Sequence, residues 1–111
     1  MNNLEDILAA NLSGKNGSLI YELHENEVLN IELMEEFYSV AKAILETIPD
    51  GDLKTSLVAK LYSVYVLIWK YFAFHFDTND GFKISNLTPD LYGEVVDELE
   101  YIFDVKKMGL I

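Results

Sequence analysis

The spacing of apolar residues along the chain predicts a series of helices. Apolar positions recur every three or four residues from about Glu32 to Ile48, and a shorter amphipathic segment runs from Leu4 to Leu12. Residues 13–18 contain two glycines and no apolar side chain, which is typical of a loop. Pro49-Asp50-Gly51 then predicts the end of the 32–48 helix, since proline followed by Asp-Gly favours a turn.

The last predicted helix has the clearest boundary signals. Thr88 is a favourable N-cap, and Pro89 suits the first helical position because the N–H that it lacks would have no partner there. Lys106 and Lys107 are predicted in the last turn, with Gly109 as the stop signal. Projection at about 100° per residue gives this helix an apolar face made of Leu91, Tyr92, Val95, Val96, Leu99, Ile102 and Phe103.

A long segment that begins at 50–52 and runs to about Phe76 is predicted to be a mostly apolar helix. Its narrow polar stripe consists of Ser56, Ala59, Lys60, Ser63 and Lys70. A helix with so little polar surface must be covered on most sides, so we expect the centre of a bundle or one side of a dimer interface. Internal lysines are costly in hydrocarbon, and they favour a buried helix over a membrane span.

Residues 19–33 fit two different structures. Alternating apolar positions on either side of residues 24–27 predict a β-hairpin, with 82–84 as a short additional strand. The same residues also fit an early helix start near Asn26. The chain is therefore predicted to be a single domain, 1–111, of mainly α class: three to four helices bundled around a central aromatic-rich helix. The alternative is an α+β domain with a small hairpin at 19–33.

Composition changes this picture mainly through charge. The chain has 19 Asp and Glu against 8 basic residues, all of them lysines, for a net charge of -11. Nucleic-acid binding requires a basic surface, so this class of function is excluded. The chain has no cysteine, which excludes a disulfide scaffold and a cysteine-ligated metal. No signal peptide is recognisable at the N-terminus. We therefore expect a cytoplasmic protein without a membrane association.

The sequence contains no residue pattern typical of catalysis or of metal binding. Neither His24 nor His75 has a glutamate three residues earlier, which a carboxylate-bridged metal site in a bundle needs. Residues 13–18 do not have the order of a phosphate-binding loop, and 77–81 do not fit the register of a calcium loop. We expect no enzyme, no cofactor and no metal, with His75 partly buried at the edge of the core.

The acidic residues are concentrated in two places, namely residues 22–36 and one face of the last predicted helix. That face carries six carboxylates, and like charges at these spacings destabilise an isolated helix. Such a face serves solubility alone, or it is retained for a basic partner. Tyr101 within the face resembles a binding hot spot, and Gly93 lies near it, where alanine would favour the helix. The candidate partner-binding residues are Asp90, Glu94, Asp97, Glu98, Tyr101 and Asp104, together with Glu32, Glu35 and Glu36.

These observations suggest a small acidic inhibitor that neutralises a basic protein, since an acidic surface accelerates association with basic partners. The most concrete versions are a bacterial immunity protein against a nuclease-type toxin and a phage-encoded inhibitor of a defence nuclease. The alternative hypothesis is a homodimeric adaptor, or a protein resembling a secretion chaperone, that assembles through the apolar helix at 57–76. A monomer and a homodimer both remain open.

Overall fold

The computed structural model describes residues 3–104, and within them the fold is mainly α, with five helices and no strand. The prediction of a mainly helical fold is therefore confirmed, whereas the predicted count of three to four helices is too low, because residues 19–25 form a helix of their own. The described elements in chain order are α1 (Leu4–Ser13), α2 (Leu19–Glu25), α3 (Ile31–Thr47), α4 (Asp52–Phe76) and α5 (Pro89–Ile102). Lys106, Lys107 and Gly109, which were predicted to end the last helix, lie outside the described residues, and α5 already ends at Ile102.

The hairpin alternative for residues 19–33 is wrong. Ser18 caps α2, its Oγ accepting the Tyr21 N–H at 3.1 Å, and Asn30 caps α3 in the same way through the Leu33 N–H. Leu19, Ile20 and Leu23 are all buried, a one-and-three spacing that belongs to a helix and not to a strand. These two caps thus provide acceptors for backbone N–H groups in the first turns of α2 and α3. The alternating pattern of apolar residues did not reveal these helix starts. Residues 82–84, predicted as an additional strand, form none.

α4 is the central helix of the bundle. Its buried residues recur at helical spacing and face α1, α2 and α3; they are Leu57, Leu61, Val64, Ile68, Tyr71 and Phe72. At 1.5 Å per residue its 25 residues extend about 37 Å, which accounts for most of the 42 Å long dimension of the molecule. Within the described part of the chain, α4 is the one helix long and apolar enough to cross a membrane by length and composition. A core helix meets the same criteria, and the inner side of α4 packs as one.

Aromatic rings connect α4 to α5. Tyr92 of α5 lies 5.7 Å from Phe72 and 4.8 Å from Phe76, measured between ring centroids. Near the other end of α5, Phe103 stacks on Tyr65 at 4.2 Å. These large side chains fill the space between the two helices and fix the face that α5 turns toward solvent.

Two asparagine amides join segments that are separate in sequence. The buried Asn11 donates to the Ile7 carbonyl and accepts the Ile20 N–H, which connects α1 to the first turn of α2. Asn86 accepts the Leu29 N–H at 2.9 Å and donates to the Leu29 carbonyl at 2.8 Å. The second amide therefore ties the segment preceding α5 to the segment preceding α3.

The loop after α4 is held by a histidine and a lysine. His75 Nδ1 accepts the N–H of the buried Ile84 at 2.8 Å. Burial lowers the pKa of His75, and the nearby Lys83 charge lowers it further, so that the ring remains a neutral acceptor. Lys83 Nζ donates to the carbonyls of His75, Asp77 and Asp80 at 2.8, 3.2 and 3.4 Å. The expectation that His75 lies partly buried at the core edge is confirmed.

Candidate functional site

A groove between α3 and α5 brings part of the predicted acidic surface together. The first half of α3 faces the first half of α5, and Leu45 near the end of α3 lies beside Ile102 at the end of α5, so the two helices run in the same direction. The cleft has a volume of about 320 Å³. We call it the acidic groove; it is lined by Ile31, Met34, Glu35, Tyr38, Leu91, Glu94, Val95 and Glu98.

The acidic groove has an apolar floor and a carboxylate rim. Met34 and Val95 are buried, Leu91 is half-buried, and the carboxylate-bearing Glu35 and Glu94 are exposed. The apolar floor follows from the helical spacing of the core residues on the facing sides of α3 and α5. This combination of an apolar surface beneath fixed charges suits a long side chain with a charged end.

Tyr38 lies at the centre of the acidic groove, where charge from both helices acts on it. Burial raises the pKa of Tyr38 to about 12, and the charges of Glu98, Glu35 and Glu94 contribute to the increase in that order. The phenol is therefore a protonated hydrogen-bond donor at neutral pH, and it is neither a base nor a nucleophile. The same shift indicates that three carboxylates create a negative potential inside the groove.

Lys42 is the one base that the structure places beside these acids. Its Nζ lies 3.0 Å from Glu98 Oε1, and both side chains are partly exposed. Hydrogen bonding to Glu98 raises the pKa of Lys42, with smaller contributions from the charge of Glu98 and then of Glu46. Lys42 therefore neutralises Glu98, whereas the rim carboxylates Glu35 and Glu94 form no ion pair with any of residues 3–104.

The other predicted residues do not join the acidic groove. Tyr101 is 60% exposed and lies in an adjacent hollow with Lys42 and Glu46. Glu36 lies on the opposite edge of α3, beside the α1–α2 loop. The remaining predicted residues are exposed carboxylates on the solvent side, namely Glu32, Asp90, Asp97 and Asp104. The structure thus distributes the predicted residues over a groove, an outer face and a distant edge.

The prediction missed the residues that turn an acidic face into a groove. Leu91 and Val95 were predicted on the apolar face of the last helix, and Tyr38 and Lys42 received no role. One signal was available, since Lys42 is the sole lysine between Lys15 and Lys54 and follows Glu35 by two helical turns. A base in that position indicates the side of α3 that faces acid. The packing of α3 against α5 is a tertiary contact, which the periodicity of apolar residues does not predict.

Two further hollows are less suited to binding a ligand. One, of about 430 Å³, opens between α1, the α1–α2 loop and Glu36 of α3, and is lined mainly by small and polar residues of α1 and that loop. The other contains Tyr71, whose hydroxyl lies 3.1 Å from His24 Nδ1, while His24 Nε2 is 3.6 Å from Glu25. Burial, and then the charge of Glu25, raises the pKa of Tyr71, so this phenol is not activated for nucleophilic attack.

Within residues 3–104, no group of three or more histidine, aspartate or glutamate side chains is arranged to hold a metal ion. No protein-family model, curated protein or solved structure matches this chain. The acidic groove and its surroundings therefore carry the functional inference.

Proposed function

We propose that this chain is an inhibitor that binds a basic protein partner through the acidic groove. Its most concrete forms are a bacterial immunity protein against a nuclease-type toxin and a phage-encoded inhibitor of a defence nuclease, acting in the cytoplasm. The observation that supports the proposal is the convergence of Glu35, Glu94 and Glu98 from two helices on the protonated Tyr38.

The groove suits a lysine or arginine side chain of the partner. The aliphatic stem would lie on Leu91 and Val95, and the cationic end would lie between Glu35 and Glu94. Tyr38 supplies a hydroxyl at the same depth. Charge-assisted hydrogen bonds of this kind contribute about 1.5–3 kcal/mol each, so a single basic side chain in the groove would act as an anchor.

The outer carboxylates have a different role in this proposal. Asp97 and Glu100 are exposed on the solvent side of α5, outside the groove lining. Charges of this kind accelerate the approach of a basic partner and contribute little once contact is made. Nucleases expose a basic cleft, so an acidic protein that covers this cleft prevents nucleic acid from entering it.

The test compares two variants that each remove two charges. Glu35→Gln with Glu94→Gln changes the groove, whereas Asp97→Asn with Glu100→Gln changes the outer face by the same net charge. Proteins captured from a cytoplasmic extract by the wild type are purified, and each is titrated against all three forms by calorimetry. We expect the groove variant to bind about a hundredfold more weakly and the outer variant to keep its affinity within a few-fold.

Inhibition is then measured as cleavage of DNA and RNA by the captured partner, with and without the chain. Binding should weaken as salt rises from about 50 to about 300 mM, because the screening length of exposed charges falls from about 14 Å to about 6 Å over this range. Equal loss of affinity in both variants would contradict the groove as the site. Capture of partners that are not basic, or that have no nuclease activity blocked by the chain, would contradict the inhibitor role.

A further inference from the structure

The outer side of α4 is exposed along its whole length and differs in composition from the acidic groove. Its residues recur at three and four positions, so that they form one line along the helix. We call this line the α4 stripe; it consists of Asp52, Ser56, Ala59, Ser63, Val66 and Lys70. Tyr62 flanks the stripe and is 53% exposed, while Val66 within it is 46% exposed. The sequence predicted Ser56, Ala59, Ser63 and Lys70 of this surface and missed Asp52, Tyr62 and Val66. Lys60, which was also predicted in the polar stripe, is half-buried beside it.

The charges of the α4 stripe are placed symmetrically at its two ends. Asp52 and Lys70 are 18 residues apart, which is five full turns, so both side chains project in the same direction. Asp52 is the one acidic residue of α4, and it lies in the first turn. A second copy of the helix laid antiparallel over the stripe places Asp52 opposite the partner's Lys70 at one end, and Lys70 opposite the partner's Asp52 at the other.

The middle of the α4 stripe is suited to close contact with another helix. Ala59 and Ser63 are small and lie on either side of the midpoint, which allows two backbones to approach. The Ser63 hydroxyl already donates to the Ala59 carbonyl at 3.0 Å. Covering Ser63 therefore does not leave its hydroxyl donor without an acceptor.

We propose that the α4 stripe is the interface of a homodimer, in which two copies of this chain pack their α4 helices antiparallel about a twofold axis between Ala59 and Ser63. The occupant is a second copy because the stripe is complementary to itself in charge and in size. This interface lies on a different helix from the acidic groove, so it does not depend on the proposed inhibitor function. A narrow stripe buries less than the roughly 800 Å² per partner of a standard interface, so the dimer is reversible.

Engineered cysteines test both the interface and its direction, because the chain has no cysteine of its own. One preparation carries Asp52→Cys and another carries Lys70→Cys. In the antiparallel dimer, equivalent residues at the stripe ends are about 27 Å apart, whereas positions 52 and 70 of opposite copies are adjacent. We expect the mixed preparations to form a disulfide-linked heterodimer under mild oxidation, and neither preparation to form one efficiently alone. Lys15→Cys, in the α1–α2 loop, measures random collision.

Charge reversal supplies an independent measurement by sedimentation equilibrium. Asp52→Lys alone and Lys70→Asp alone each convert two attractive pairs into repulsive ones, and we expect the dimer to weaken about tenfold in each. The double variant Asp52→Lys/Lys70→Asp restores both pairs and should recover the wild-type dissociation constant within a few-fold. Raising salt should preserve the dimer, since screening reduces the repulsion between two chains of net charge -11.

The remaining outcomes overturn the proposal. A wild-type chain that is monomeric up to about 1 mM has no such interface. Efficient disulfides within the Asp52→Cys preparation alone indicate a parallel pair. A dimer that is insensitive to both single reversals uses another surface. Each variant is checked by circular dichroism, and all the substituted positions are exposed, so the fold is expected to be retained.

Discussion

The acidic groove and the α4 stripe are both exposed surfaces, but they are assembled from different parts of the sequence. The groove needs α3 and α5, which begin 58 residues apart, to lie side by side, and its properties come from charges that converge on Tyr38. The stripe belongs to a single helix, and its properties follow from helical spacing alone. A surface formed by one helix can be predicted from the periodicity of its sequence, whereas a surface formed between two helices can be predicted only when their packing is known.

The largest expected effect separates the two sides of α4. Leu61 is fully buried, and Leu61→Ala should lower the free energy of unfolding by about 2–5 kcal/mol because it leaves a cavity. Val66→Ala, on the stripe, should change the stability of the monomer by about 0.5 kcal/mol or less. Urea unfolding at low protein concentration measures both. Similar losses in the two variants would show that the stripe is packed against something within the monomer.

A second substitution tests whether the acidic groove depends on a distant hydrogen-bonded contact. Asn86→Ala removes both bonds to Leu29, whose backbone is enclosed, and should lower the free energy of unfolding by about 2–4 kcal/mol. Binding of the partner should weaken as well, since α3 and α5 lose their common attachment. Dimerisation through α4 should remain. Asn79→Ala, in an exposed turn, serves as the control. An equal loss of stability in this variant would show that the contact of Asn86 with Leu29 has no special role.

A third substitution concerns Gly93 on α5. A Cβ at this position would meet no atom within 4 Å, so Gly93→Ala should raise the free energy of unfolding by about 1 kcal/mol through helix propensity alone. Thermal unfolding measures the gain. A simultaneous loss of partner affinity would indicate that the partner approaches the α5 backbone closely, which would extend the binding surface from the groove to the outer face.

The smallest effect concerns the titration of Tyr38. A pKa raised to about 12 means that the contribution of Tyr38 to stability is complete below pH 10 and is lost as the pH rises from 10 to 12. Glu35→Gln with Glu94→Gln should lower this pKa, because two of the charges that raise it are removed. The ring carbon shifts of Tyr38, followed by NMR against pH and assigned with Tyr38→Phe, measure the change. An unchanged pKa would mean that burial and Glu98 set it without a contribution from Glu35 and Glu94.

Much of the fold follows from the sequence, because its helices carry strong local signals. Thr88 and Pro89 fixed the start of α5, and apolar spacing gave α3 and α4 within a residue or two. The error at 19–33 arose because Ser18 and Asn30 act as caps, a role that alternating hydrophobicity does not reveal. The predicted acidic site residues are exposed except Glu98, which is half-buried beside Lys42. Their division between groove and outer face depends on how α5 is rotated by its aromatic contacts with α4.

The contact between Asn86 and Leu29 also bears on the order in which the two surfaces form. It closes a loop of 57 residues, and contacts of such separation form late because the entropy of loop closure must be overcome first. The α4 stripe needs only local helix formation, which takes microseconds or less. The α4 stripe therefore depends on the structure of one helix, whereas the acidic groove exists only after this long-range contact has formed and α3 and α5 lie side by side.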